Sequence, residues 1–482
     1  MQVSNRVKNQ HLLWRAAFGP TAENAEDLHN LSQTRLWNEL QDTSSKTPVK
    51  NLVVTNLGEA VMDQLQEPGQ KQQLNPGQKK LLRQQSREGI KNLNVSWLSE
   101  MISSESQFTE KMALFWHGHF ACRVINVFYQ QQLVNIVRAN GCGKFSELLS
   151  AVSKSPSMLQ FLNNQQNRKQ RPNENFAREV MELFTMGRGN YTETDVKEAA
   201  RAFTGWGFNG LGEFVFRVNQ HDAGTKTFLG KTGNFNGDDI IHILLGQKQT
   251  ALFITQKIYR HFVNEKTDDK KVLWLAGRFF ESGYDIRKLM NDIFTSDWFY
   301  EDKNIGAKIK SPVELIVGIR RMLPMELAND GAQLLFQRAL GQILFYPPNV
   351  AGWPGGKSWI DSSTLMLRLQ IPQLISNNEA VTIQPKNDDD IMMGEARNER
   401  TILQRNNGSK NFVAVVNWPA TIKIFEKVPR ENLLTTISET VLQTKNRVSN
   451  TVLTKYLNNE TREAYIKSAI IYLMSTPEYQ LC

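Results

Sequence analysis

Asn173-Glu174-Asn175-Phe176-Ala177-Arg178-Glu179-Val180-Met181-Glu182-Leu183-Phe184-Thr185-Met186 is the stretch that decides the fold class of this 482-residue chain. Asn173, just after Pro172, is a good helix N-cap because its carboxamide satisfies an orphan backbone N–H. Gly187 stands where a left-handed residue ends a helix. Phe176, Val180 and Leu183 recur at i, i+4 and i+7 and predict one buried stripe. Asn175, Glu179 and Glu182 share the adjoining stripe. Two carboxylates at i and i+3 repel unless something compensates them. Arg178, four residues from both Glu174 and Glu182, offers an ion-pair ladder. Two readings follow: a braced surface helix, or an inward polar site whose carboxylates bind a metal or act as acid and base.

Outward from this helix the same period repeats. It predicts helices over Asn9–Ala17, Gly77–Glu100, Ser106–Arg123, Phe128–Ala139, Thr194–Thr204 and Thr250–Val263, with others from Val272 to Leu340. Strand signals are scarce. Glu213 to Val218 alternates polar and apolar residues, and Lys226 to Leu229 is the expected partner strand. The expected fold is mainly α: a large multi-helix body over residues 1–376 with a small β-hairpin insertion near 213–229. Residues 377–411, with the acidic run Asp388-Asp389-Asp390, read as a polar linker or long loop. Residues 412–482 resume normal composition and read as a C-terminal helical extension that packs on the main domain.

Composition sets limits. With 40% hydrophobic and 22% charged residues, the chain has the profile of a soluble globular protein. No stretch approaches the roughly 18 apolar residues that a membrane span needs. The first residues lack the apolar core of a secretory signal. A cytoplasmic location is therefore expected, with export beside a signal-bearing partner as the alternative. Cys122, Cys142 and Cys482 are too few for a disulfide framework and read as buried free thiols. The net charge of +9 is most concentrated between Lys71 and Lys91. No aromatic residues interleave there as stacking platforms, so nucleic acid is not the expected partner.

Three further segments carry candidate chemistry. Trp116-His117-Gly118-His119-Phe120 contains a His-x-His pair, but i and i+2 on a helix lie about 200° apart, so at most one imidazole enters a site. In His221-Asp222-Ala223-Gly224-Thr225-Lys226, Asp222 and Gly224 suit a turn. The same loop displays an imidazole and a carboxylate, with Lys226 as an anion clamp. Tyr346-Pro347-Pro348-Asn349-Val350-Ala351-Gly352-Trp353-Pro354-Gly355-Gly356 is a rigid loop in which Trp353 either covers a pocket or anchors irregular backbone. Phosphate-loop, nucleophile-elbow and zincin patterns are absent.

Together these segments resemble a bacterial family known as domain of unknown function 1800. The matching features begin with His11-Leu12-Leu13-Trp14-Arg15-Ala16-Ala17-Phe18-Gly19 and Trp116–Phe120. They continue with Arg171–Glu179 through Glu182 and Gly187, Tyr191-Thr192 with Asp195-Val196, and Thr204-Gly205-Trp206. His221-Asp222 with Lys226 and the Pro347–Gly356 loop complete the series. Gly118 stands where many relatives carry Asn. The resemblance implies a bacterial source and no established activity. It also implies a partner, because such proteins are often encoded beside a secreted sulfatase- or phosphatase-like protein, in a pathway acting on an envelope polymer.

The leading functional expectation is a hydrolase-like site that gathers the candidates in one cleft. Glu179, Glu182, His221 and Asp222 would be catalytic, and Arg178, Lys226 and Trp353 would bind a ligand. His117 or His119, with Glu179, Glu182 and His221, would hold a divalent ion, with zinc, manganese or iron suiting mixed N and O ligands. The rival is a non-enzymatic helical scaffold that binds the phosphatase-like neighbour, its polar motifs serving as internal networks.

Overall fold

Asn173 caps the decisive helix as its sequence requires, its side chain accepting from the N–H of Asn175. The computed structural model describes residues 3–25, 27–54, 76–209, 211–328, 331–377 and 414–482. Glu174–Glu179 is α-helical, but Val180–Thr185 winds as a π-helix. The N–H of Met186 reaches back to the carbonyl of Met181 at 2.8 Å, and the Thr185 hydroxyl donates to the Val180 carbonyl at 2.7 Å. Gly187 ends the element at φ +79°, where a Cβ would also strike the Phe253 ring. The wider turn shifts the inward position from Leu183, which is only partly buried, to Phe184, which is buried. This corrects the simple i, i+4, i+7 stripe.

The chain is mainly α with short β-hairpins, as expected. Pro76–Ser103, Gln107–His119, Val127–Asn140, Glu193–Ala202, Lys248–Phe262 and Pro312–Met322 agree with the periodic readings to within a turn or so, and each has an apolar face to bury. The pairing of the insertion differs from expectation. Phe214–Phe216 pairs with Trp206–Phe208, and Lys226–Phe228 pairs with Lys231–Gly233, all antiparallel. A third pair joins Met325–Leu327 to Ala414–Val416. Close-range turns thus win over the longer connection from 218 to 226, in keeping with the commonness of short hairpin loops.

One core gathers helices from Leu12 to Phe345 around Trp37, Trp97 and Trp116. A second joins Leu315, Ile316, Phe336 and Ile371 to Leu433–Tyr479. The polar segment 377–411, apart from Asn377, lies outside the described residues. Cys122, Cys142 and Cys482 are free and buried. No described helix is long and apolar enough to cross a membrane.

Candidate functional site

The π-turn begins between the two carboxylates that the sequence places on one stripe, and they find different partners. Glu182 swings to a side of the helix where Arg188 Nε donates to it at 2.6 Å and the Tyr191 hydroxyl donates at 2.8 Å. Glu179 is half-buried and makes no hydrogen bond among the described residues. Their acidities part accordingly. Burial, and next the charge of Glu182, raises the Glu179 carboxyl above its ordinary range against Arg178 and Arg188. At Glu182 burial pushes upward too, but Tyr191 and Arg188 outweigh it and hold that carboxyl below its ordinary range. Environments that drive paired groups apart are what an acid–base pair needs. π-Turns within helices also recur at functional sites.

Arg178 is not free to clamp an anion. It forms a double hydrogen bond to Glu193 at 2.7 and 2.8 Å and another to Glu174 at 3.2 Å. Of the ladder expected from Glu174 through Arg178 to Glu182, only the first rung forms. Glu193 opens the next helix, whose Thr192–Asp195 capping box is complete.

His117 and His119 leave their helix on different sides, as i and i+2 must. The Phe345 N–H donates to His117 Nε2 at 3.1 Å, and Trp97, Phe345 and Trp353 surround the ring. Burial lowers its pKa to about 3, so it is a neutral core histidine. Trp353 lies over His117, and Gly352 packs so close that a Cβ would lie 2.3 Å from the Gly118 carbonyl oxygen. The Pro347–Gly356 loop therefore seals the end of the Trp116–Phe120 element. His119 does reach the decisive helix. Its Nε2–H donates to the Phe184 carbonyl at 3.3 Å, and Lys257 donates to its Nδ1 at 3.2 Å. Burial, then Lys257, keeps it neutral.

The loop at His221 is held by internal hydrogen bonds. His221 Nδ1–H donates to the Thr204 carbonyl at 3.0 Å, and its ring lies edge-on to Phe216. Asp222 accepts from Arg201 at 2.7 and 3.2 Å and from the Gly224 N–H at 2.9 Å. The Asx-type turn is present, although Gly224 does not take positive φ. Lys226 is buried and donates to the carbonyls of Asp222 and Gly224, so it pins the turn and clamps no anion. Among the described residues, no hydrogen bond or ion pair joins His221 or Asp222 to Glu179 or Glu182, and no three His, Cys, Asp or Glu side chains stand together as a metal site. The expected metal centre of His117 or His119 with Glu179, Glu182 and His221 is not assembled among the described residues. Helix geometry divides the two histidines, Arg188 and Tyr191 take up Glu182, and Thr204 holds His221.

A family model described as "Protein of unknown function (DUF1800)" matches residues 11–481. The chain belongs to this family. Neither a curated protein nor a solved structure matches it.

Several of the family-like segments converge elsewhere, on a buried charge centre absent from the sequence reading. Glu314 is fully buried and accepts from Lys111, from Lys308 at 2.8 Å and from the Ser311 N–H at 2.8 Å. Burial alone would raise its pKa, but the two lysines hold it well below the carboxylate range. Lys111 also donates to the Trp14 carbonyl, and Arg15 donates to the main-chain oxygens of Asn304 and Cys482. The opening motif, the Trp116 helix and the Pro312 helix are thereby bolted together. The available signal was Ser311-Pro312-Val313-Glu314, a capping-box pattern. Its carboxylate serves the helix start and the lysines at once.

Proposed function

We propose that this chain is an acid–base hydrolase in which Glu179 carries the transferable proton and Glu182 stays ionised. What supports it is the contrast in surroundings of two carboxylates three residues apart at an α-to-π junction: Glu182 is bonded by Arg188 and Tyr191, whereas the half-buried Glu179 side chain has no such partner among the described residues, and their pKa values shift in opposite directions. A carboxyl whose pKa is raised donates its proton more readily at the working pH to a leaving oxygen as its bond breaks, and the attacking water returns a proton to it. Glu182 keeps its negative charge through Tyr191 and Arg188, and that charge helps to raise the pKa of Glu179. The reaction class is hydrolysis of a glycosidic or ester bond, and the setting is the envelope polymer that the family resemblance implies. The test is turnover of bacterial envelope polysaccharide fractions, read as new reducing ends and freed acids. Glu179→Gln is expected to lower the rate by roughly 10²-fold or more, the usual worth of a general acid. Glu182→Gln, by removing a neighbouring negative charge, moves the alkaline limb of the pH profile to lower pH. Wild-type turnover in Glu179→Gln contradicts the proposal.

The scaffold reading also has an observation in its favour. Arg178, His221, Asp222 and Lys226 are all bonded to internal partners. Stoichiometric co-purification with the phosphatase- or sulfatase-like protein, without turnover on any fraction, would favour it.

A further inference from the structure

Asn163-Asn164-Gln165-Gln166-Asn167 is a run of five carboxamides whose members divide by role. Asn164 donates to the carbonyls of Phe203 and Trp206, and Asn167 donates to the Ala200 carbonyl at 2.9 Å while accepting from the Asn173 N–H. These two fix the turn to its surroundings, with Asn163 in the left-handed region at φ +58°. The remaining members face a cleft of about 600 Å³, joined there by Asn126, Gln160, Tyr129 and Phe208. The side chains of Gln160, Asn163 and Gln166 make no hydrogen bond among the described residues.

The chemistry of this wall is specific. A carboxamide both donates and accepts, which matches a hydroxyl group in either role. Tyr129 and Phe208, edge to face at 5.3 Å, add the apolar surface on which ligand C–H groups rest. Tyr129 is neutral at physiological pH, since burial raises its pKa. Among the described residues the lining side chains carry no charge, although the chain carries a net charge of +9; the neighbouring Arg217 guanidinium donates to the Phe208 carbonyl at 2.9 Å. A charged ligand gains no opposite charge from this lining, whereas a polar uncharged one gains several carboxamides. The cleft is also tied to the acid–base helix. Asn175, one turn before Glu179, donates to the carbonyl of Leu162, which adjoins Asn163.

We propose that this cleft binds a neutral glycan segment. Binding stands on the cleft alone; that the glycan is also the substrate rests on the Glu179 reading. The full chain is titrated with cellohexaose, maltohexaose, xylohexaose and chitohexaose, by calorimetry and by saturation-transfer NMR. At least one is expected to bind saturably, with affinity insensitive to salt. Gln160 and Gln166 are exposed, so Gln160→Ala/Gln166→Ala keeps the fold and weakens binding by roughly tenfold or more, a change worth about 1.4 kcal/mol. Phe208→Ala gives a second, independent loss. No saturable binding to any of the four, binding unchanged in both variants, or binding abolished by salt overturns the proposal. Glu179→Gln separates the two readings. Full binding with lost turnover supports both, full binding with full turnover overturns only the acid–base reading, and turnover without glycan binding overturns only the cleft.

Discussion

Replacing Glu314 by Gln removes one negative charge from a place where two lysines depend on it. Lys111 is 1% exposed and Lys308 8%, so neither ammonium is hydrated freely once the carboxylate is gone. The amide still accepts from the Ser311 N–H, so the helix cap survives and the loss is electrostatic. Removing one member of a buried pair costs about 3–5 kcal/mol, because an uncompensated charge stays behind. That is a large fraction of the roughly 5–15 kcal/mol that holds a domain folded. Urea denaturation followed by tryptophan fluorescence reads this directly, since Trp14 and Trp116 lie on the elements that the centre joins. The expected result is an earlier transition equivalent to about 3–5 kcal/mol. Lys111→Met added to Glu314→Gln should recover part of it, because one stranded charge goes. A loss below about 1 kcal/mol, within the ordinary range for exposed pairs, refutes the idea that this centre bolts the fold.

Three further outcomes follow from the same geometry. His11, His117 and His119 are buried and His261 partly so, and desolvation is the chief cause that lowers the pKa of each and favours the neutral ring. Their folded pKa values lie below the unfolded value, so between the two the unfolded chain binds more protons. Stability is then full above about pH 6.5 and falls by about 1.4 kcal/mol per pH unit for each histidine as pH drops. Urea midpoints taken from pH 7 to 5 check this, and His117→Gln should flatten the slope by one histidine's share. Gly352 has φ +80° and backbone 2.3 Å from its would-be Cβ, whereas Gly355 has φ +74° with open space. Gly355→Ala should cost about 1–2 kcal/mol for the left-handed conformation, and Gly352→Ala about 2–5 kcal/mol once overpacking is added; equal melting temperatures would contradict the assigned contact. Elemental analysis of the purified chain should find no zinc, manganese or iron that disappears in His119→Gln or Glu182→Gln. Finding one would revive the metal centre by requiring those residues to meet.

The sequence revealed the helices because their signals are local: a cap at Asn173, a terminator at Gly187 and an apolar period between them. The π-turn was hidden, since it depends on packing and on the Thr185 hydroxyl reaching Val180, not on any period. The second hairpin was hidden for a different reason. Its turn places Leu229 at φ +48°, a conformation that side chain gives no hint of, and Asp195 from another helix supports it by accepting from the Leu229 N–H at 2.8 Å. Turn chemistry at Asn209 and Gly212 was present and outweighed by the alternation of 213–218. The candidate residues were legible as polar exceptions, but their partners were not. Arg201 for Asp222, Thr204 for His221 and Lys257 for His119 come from distant positions. Lys111 and Glu314, about two hundred residues apart, are a pair that only the fold discloses.

The central claim concerns two carboxyl groups, and NMR titration of their side-chain carbons measures it without a substrate. With Glu179→Gln and Glu182→Gln as assignment controls, the Glu179 signal should titrate above the usual glutamate value of 4.5 and the Glu182 signal below it. Both groups titrating near that value, or in the reverse order, would contradict the acid–base account.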